Sequence, residues 1–166
     1  MSPSYKHDRG SRELGLLITL LAEHLHIPMI GIGSTTLQRP DLKKAIEADE
    51  AFYFANQEKL HGIDELDLAQ LPPPDLAIEV EISSRLGMRK SIYAALGVPE
   101  IWRYDGARLL VELLRADGSY APSSTSPTFP SLPIESVPTL IQQGFATDRT
   151  TWLRNARQWI QDNVGR

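Results

Sequence analysis

The sequence predicts an α/β fold, a mixed sheet with helices packed on its faces. Three observations predict this class. The segments follow the order helix, strands, helix, strands, helix; one strand has apolar residues along one face; and stretches rich in proline or glycine separate the segments. The chain has 166 residues, of which 42% are hydrophobic and 23% charged. We expect a single domain spanning residues 1–166.

The first third of the chain predicts one helix and two strands. Ser11–Leu25 has leucine and isoleucine at three- and four-residue spacing, which is typical of an amphipathic helix, and Ser11 is the predicted N-cap. Beyond Pro28, the segment MIGIGSTTLQ predicts a strand. RPDLKKAIEADE then predicts a loop that leads into a second strand, AFYFAN.

The middle and the end of the chain alternate in the same way. Three consecutive prolines set up an extended entry to a third strand, DLAIEVEIS. Residues 85–96 predict a helix that ends at Gly97, and PEIWRYD predicts a fourth strand. RLLVELLRADGSY predicts a strand pair that turns at Asp117–Gly118, followed by a loop rich in proline and serine. A last helix is predicted from about residue 150 to about residue 164.

The third strand carries acidic residues along one face. Because side chains alternate along a strand, its apolar residues point into a core, whereas Asp75, Glu79 and Glu81 point the other way. Such a strand can be an edge strand with a solvated face, since edge charges prevent aggregation. It can also bind a divalent cation such as Mg²⁺, which prefers carboxylate oxygens. The strand alone leaves both interpretations open.

Other residues could complete a site around this face. Asp49 precedes the AFYFAN strand and would reach an ion held by Glu79 if the two strands pair. Lys90, on the following helix, could stabilise negative charge that develops in a reaction, or it could face solvent. Arg89 has the same two interpretations. His7 and Glu13 would reach the site if the first helix packs along the sheet, and His7 could equally belong to a flexible terminus.

Composition excludes several classes of protein. The absence of cysteine excludes disulfides, thiolate metal sites and cysteine nucleophiles. No apolar run is long enough for a membrane-spanning helix, and the start does not resemble a signal peptide, so we expect a cytoplasmic protein. The net charge of −4 is unusual for a protein that coats DNA, so nucleic-acid contacts would need a local basic patch or metal ions. GIGSTTL lacks the lysine and the spacing of a P-loop.

Several segments together resemble the Uma-type restriction endonuclease family, a branch of the PD-(D/E)xK nuclease superfamily. They run from Gly33 to Leu132 and include GSTTL, EADEAFYF, PPPDLAIEVEISS, YAALGVPEIWRYD and DGSY followed by FPSL. Each segment is a weak signal by itself, and their shared order makes the resemblance specific. The resemblance implies a restriction-endonuclease-like αβββαβ core and a phosphodiesterase site that uses a divalent metal.

The resemblance also implies roles for individual residues. The first acid of the superfamily falls on Asp49, in EADE where this family usually has EPDE, and the second falls on Glu79, so these two are the predicted metal ligands. The usual lysine position holds Glu81, which would be a further ligand or a base that positions water. Lys90 is the predicted substitute for the lysine. Asp75 is predicted to play only a supporting role, since it shares a strand with Glu79.

Three hypotheses follow from the sequence. The first is an endonuclease that uses Mg²⁺ or Mn²⁺ to hydrolyse DNA, with catalytic residues Asp49, Glu79, Glu81 and Lys90, acting as a homodimer. The second is a nuclease-fold binding or assembly module without catalysis, which the missing motif lysine and the acidic net charge favour. The third is a metal-dependent hydrolase of small phosphate esters.

Overall fold

A computed structural model of the chain describes residues 4–81 and 87–165. It contains eight strands and four α-helices within these residues. The strands are β1 Ile30–Gly31, β2 Thr36–Arg39, β3 Lys44–Glu47, β4 Glu50–Tyr53, β5 Leu76–Val80, β6 Glu100–Tyr104, β7 Leu109–Leu114 and β8 Tyr120–Ser123. The helices are α1 Tyr5–Leu25, α2 Gly87–Leu96, α3 Val137–Ala146 and α4 Arg149–Asn163. Each of these helices is either too short or too polar to span a bilayer.

Six strands form one mixed sheet in the order β1-β4-β5-β6-β7-β8. Neighbouring strands are antiparallel except β5 and β6, which are parallel and are joined through α2. The predicted α/β class with a mixed sheet is therefore confirmed. A separate hairpin, β2–β3, contacts α2.

The two faces of the sheet bury different cores because side chains alternate along each strand. Leu76, Ile78 and Val80 of β5 pack with residues of α1, α3 and α4. Ala77, on the opposite face of β5, packs with Tyr93 of α2 and with the β2–β3 hairpin. All five residues of β5 are buried. The interpretation of this strand as an exposed edge is therefore wrong, since β4 and β6 flank it and helices lie on both sides.

The first helix begins earlier than its apolar pattern indicates. The N-cap is Ser4, whose hydroxyl accepts a hydrogen bond from the His7 backbone N–H at 3.2 Å, so the prediction of Ser11 as N-cap is wrong. The apolar stripe starts only at Leu14 because the first turns of α1 carry polar residues near the end of the sheet. The helix ends at His26, which adopts a left-handed conformation with φ of 56°.

The segment predicted as one strand over residues 29–38 is two strands in different sheets. Gly33, with φ of +59°, separates β1 from β2, a conformation that glycine adopts at little cost. The loop predicted next contains β3, which pairs with β2, and α3 was not predicted. The turn at Gly118, the helix end at Gly97 and the last helix agree with prediction. The predicted extension of β5 through Ser83, and Arg85 and Leu86 of the predicted helix, lie outside the described residues.

Candidate functional site

The predicted metal ligand Asp49 directly precedes β4, and Glu79 lies on the neighbouring β5, facing the same side of the sheet. The β4–β5 register pairs Glu50 with Ile78, so one further step places Asp49 opposite Glu79. Two hydrogen bonds hold Asp49 against β5. The Asp49 N–H donates to the Ile78 carbonyl at 3.2 Å, and the Val80 N–H donates to Asp49 Oδ2 at 2.7 Å. The structure therefore brings the two acids together, as the sequence predicts.

Glu79 is a buried carboxylate, with 4% of its surface exposed. Its Oε1 accepts hydrogen bonds from Arg89 Nη2 at 2.7 Å and from the Tyr93 hydroxyl. Burial raises the pKa of Glu79, while Arg89 and Tyr93 act against the shift and the Asp49 charge adds to it. Burial, followed by the Glu79 charge, also raises the pKa of Tyr93. Glu79 is thus held in place and electrostatically coupled to Asp49.

The cation that reaches Glu79 is Arg89, not Lys90. Arg89 donates through Nη2 both to Glu79 and to the Glu47 carbonyl, each at 2.7 Å, and it links α2 to the end of β3. Lys90 Nζ instead donates to Glu112 Oε1 on β7 at 2.5 Å. The proposed catalytic role of Lys90 stays a prediction, and the position of its amine favours a structural role.

Glu81 belongs to a second group of charges on the same face. Arg103 on β6 donates to Glu81 Oε2 at 2.7 Å and contacts Glu112 Oε2 at 3.4 Å, and Glu112 in turn binds Lys90. Glu81 Oε1 is buried without a hydrogen-bond partner. An arginine from the next strand therefore neutralises the acid that occupies the motif lysine position, and its predicted catalytic role stays a prediction.

The first helix brings His7 to the site but not Glu13. His7 Nε2 lies 3.3 Å from Asp49 Oδ2, so this histidine is part of the site. Glu13 is buried and pairs with Arg9 at 3.5 Å and with Arg149 at 3.2 Å, which places it between α1 and the start of α4. The early start of α1 is what positions His7, and the capping serine at position 4 is the signal in the sequence that indicates it.

Asp75 lies away from the proposed site and stabilises a turn, so the structure does not favour its predicted supporting role beside Glu79. Its Oδ2 accepts hydrogen bonds from the backbone N–H groups of Phe54 at 2.6 Å and Ala55 at 3.1 Å. These bonds fix the turn after β4, at the opposite end of β5 from Glu79. Four residues of strand separate the two acids by about 13 Å, so Asp75 does not contribute to the same site.

A cleft of about 730 Å³ opens at Asp49. Its wall includes the cationic or ionisable side chains His7, Arg12 and Arg89, together with the acids Asp8, Glu47, Asp49 and Glu50. A partly exposed Asp49 beside the buried Glu79, at an open cleft with arginines, suits an anionic substrate whose charge the arginines offset.

The two acids have the chemistry of a magnesium site. Among the described residues, the hydrogen bonds to Asp49 use Oδ2 and those to Glu79 use Oε1, which leaves one oxygen of each carboxylate without a protein donor. Within residues 4–81 and 87–165, no group of three or more His, Asp or Glu side chains is arranged to hold a metal ion, so an ion here would depend on these two carboxylates and on water. One or two carboxylates with several waters is the usual Mg²⁺ environment, so this donor set fits that ion.

Comparison with known proteins agrees with this fold. The profile of the Uma2 family, described as "Putative restriction endonuclease", matches residues 1–148. Among solved structures, a crystal structure of "a putative nuclease belonging to DUF820" from Anabaena variabilis ATCC 29413 is similar, with a TM-score of 0.54 and 17% sequence identity. The match covers 92% of this chain and 84% of that chain, and at this identity it shows the shared fold alone. No curated protein matches the chain significantly.

Proposed function

We infer the function of the chain from its family: it belongs to the Uma2 family of restriction-endonuclease-like proteins, and we propose that it hydrolyses DNA phosphodiester bonds with a divalent metal ion. One observation carries the proposal. Asp49, directly before β4, lies opposite Glu79 on β5, and each keeps one carboxylate oxygen without a donor among the described residues. Asp49 and Arg89 line the adjacent cleft.

Asp49 and Glu79 would hold Mg²⁺ or Mn²⁺, which supplies stabilisation of phosphate charge and a bound water of lowered pKa. Arg89 presents a planar set of donors that suits a phosphate oxygen, and it is partly exposed at the cleft. His7 contacts Asp49 and can accept or deliver a proton there. Tyr93 holds the Glu79 carboxylate in position from below, as a positioning residue.

The pair formed by Glu81 and Arg103 supports the site without entering it. Arg103 joins Glu81 at the end of β5 to Glu112 on β7, and so holds three strands together where the site lies. We propose that Glu81 positions this end of β5 through Arg103. We also propose that Arg89 supplies the positive charge that the motif lysine would provide.

The proposal predicts cleavage of supercoiled plasmid DNA in Mg²⁺ or Mn²⁺. Asp49→Asn combined with Glu79→Gln should lower the rate by at least about 100-fold, because metal-based stabilisation of the transition state is worth several kcal/mol. Glu135→Gln, which changes an exposed acid remote from the cleft, is the matched control and should cleave normally. Undiminished cleavage by the double variant would refute the assignment.

A binding or assembly module without catalysis is the second candidate. Two ion pairs favour this function, because Arg89 pairs with Glu79 and Arg103 pairs with Glu81. Each arginine would compete with a metal ion for its carboxylate. If the wild-type protein binds DNA or itself but releases no cleavage product in Mn²⁺, this second function replaces the first.

A further inference from the structure

The exposed side of the first two turns of α1 carries an aromatic ring and arginines on one face. Tyr5, Asp8, Arg9 and Arg12 follow the spacing i, i+3, i+4, i+7, so they form a single stripe on the helix. This stripe lines a cleft of about 560 Å³ together with Thr147, Asp148 and Arg149 at the start of α4. The proposed metal ligands Asp49 and Glu79 do not line this cleft.

The stripe is continuous with the active-site cleft. Asp8 and Arg12 line both the 560 Å³ cleft and the 730 Å³ cleft that contains Asp49. A strand leaving Asp49 in this direction must therefore pass Arg12. From Arg12 to Tyr5 is seven helical residues, or about 10 Å.

Arg12 is the available cation of this surface. It is exposed and forms no hydrogen bond or ion pair with another described residue. Burial raises the pKa of Glu50, and the Arg12 charge acts against that shift. Arg9 and Arg149, in contrast, both pair with the buried Glu13. Their main role is therefore to hold α1 against the start of α4 at this cleft.

The Tyr5 ring is exposed, and a contact with Arg9 fixes its orientation. It is 73% exposed, which is unusual for a large apolar side chain. Its hydroxyl accepts a hydrogen bond from Arg9 Nη1 at 2.9 Å, and the Arg9 guanidinium also lies 5.9 Å from the ring centre. Arg9 is in turn anchored to the Gly144 and Thr147 carbonyls. The ring is thus oriented by a fixed partner while its surface stays open.

We propose that this stripe is a binding path for single-stranded nucleic acid, with a phosphate at Arg12 and a base stacked on Tyr5. An exposed aromatic ring beside a free cation is the combination that binds single strands without sequence preference. The inference rests on the proposed nuclease function, because it extends the substrate beyond the metal site.

The test is fluorescence anisotropy with a labelled oligothymidylate and with a duplex of the same length, in EDTA so that no cleavage occurs. Tyr5→Ala should weaken single-strand binding about fivefold or more, whereas Tyr5→Phe, which keeps the ring, should bind nearly as the wild type. Arg12→Gln should reduce the slope of log affinity against log salt by about 0.7, and Arg12→Lys should retain it. Arg115→Gln, in the turn at the opposite end of the sheet, is the matched control and should change neither quantity.

The outcomes separate this inference from the proposed function. Plasmid cleavage together with oligonucleotide binding that is insensitive to Tyr5→Ala and Arg12→Gln would overturn the binding path and leave the nuclease intact. Binding that depends on Tyr5 and Arg12 without cleavage in Mn²⁺ would support the path and overturn the nuclease. Tighter binding of the duplex than of the single strand would overturn the path as stated.

Discussion

Two adjacent residues of α2 serve different carboxylates. Arg89 binds Glu79 on β5, whereas Lys90 binds Glu112 on β7. Consecutive helical residues point about 100° apart, so the two cations project toward different strands. The sequence predicts that both cations lie near the acidic strand. Which acid each one binds depends on the rotation of α2 about its axis over the sheet, and the local sequence pattern does not determine that rotation.

Arg89→Gln should affect metal binding and catalysis in opposite directions. Removing a cation that competes for Glu79 should tighten Mn²⁺ binding severalfold, while loss of a donor to the phosphate should slow cleavage about 10- to 100-fold. Calorimetry with Mn²⁺ and plasmid cleavage measure the two effects on the same preparation. A variant that binds Mn²⁺ more weakly would show that Arg89 supports the metal site rather than competing with it.

Lys90→Ala should affect stability more than catalysis. Glu112 is buried and keeps only its longer contact with Arg103 when the lysine is lost. We expect a loss of about 1–2 kcal/mol in the free energy of unfolding, less than for a fully buried pair because Lys90 is partly exposed. Urea unfolding measures this loss. If Lys90→Ala folds normally yet cleaves no DNA, Lys90 is the catalytic cation and Arg89 is not.

Glu79 should make stability depend on pH in an unusual direction. Because its pKa is raised by burial in the folded state, its contribution is full below the ordinary glutamate value of about 4.3 and falls as pH rises through the raised pKa. Glu79→Gln lacks this titration. Urea unfolding in EDTA, between about pH 4 and about pH 7, should therefore show the variant gaining stability relative to the wild type. A relative loss with rising pH would mean that Arg89 lowers the pKa of Glu79.

At the scale of elements, the sequence predicted features that depend on residues close together in the chain. It did not predict features that depend on contacts between distant elements. The alternation in β5 placed Glu79 on one face with Asp75 and Glu81, and the family resemblance singled out Asp49 and Glu79 as the predicted metal ligands. The start of α1 was missed because its first turns lack an apolar stripe, although Ser4 is a capping residue. The β2–β3 hairpin was missed because RPDLKKAIE has the polar composition of a loop, and its strand pairing becomes favourable only against α2.

Gly10→Ala tests the packing of α1 on the sheet. A Cβ at this position would lie 3.5 Å from Val80 and 3.6 Å from Tyr104, which is ordinary contact. Alanine should therefore stabilise the protein by about 0.5–1 kcal/mol through helix propensity. Gly144→Ala in α3 is the comparison, since its Cβ would lie 3.3 Å from the Trp152 indole, and it should lack this gain. Thermal unfolding of both variants measures the difference. A destabilised Gly10→Ala would show that α1 lies too close to Val80 and Tyr104 to accommodate a Cβ.

At the scale of the whole molecule, the site depends on topology. Antiparallel β4 and β5 place the two acids opposite each other, and the parallel connection from β5 to β6 passes through α2, which brings Arg89 and Tyr93 over the same face. The family resemblance supplied this topology, whereas the residue pattern alone supplied only the order of segments. The expected homodimer stays a prediction, and light scattering of the purified protein would test it.

The measurement that tests the central claim most directly is calorimetric titration of the protein with Mn²⁺, compared with the variant that combines Asp49→Asn and Glu79→Gln. We expect the wild type to bind the ion with a dissociation constant in the millimolar range or tighter, since two carboxylates that each keep one oxygen without a donor from the described part of the chain suit such an ion. The double variant should show no binding. Equal binding by both proteins, or no binding by the wild type, would contradict the assignment of Asp49 and Glu79 as the metal ligands.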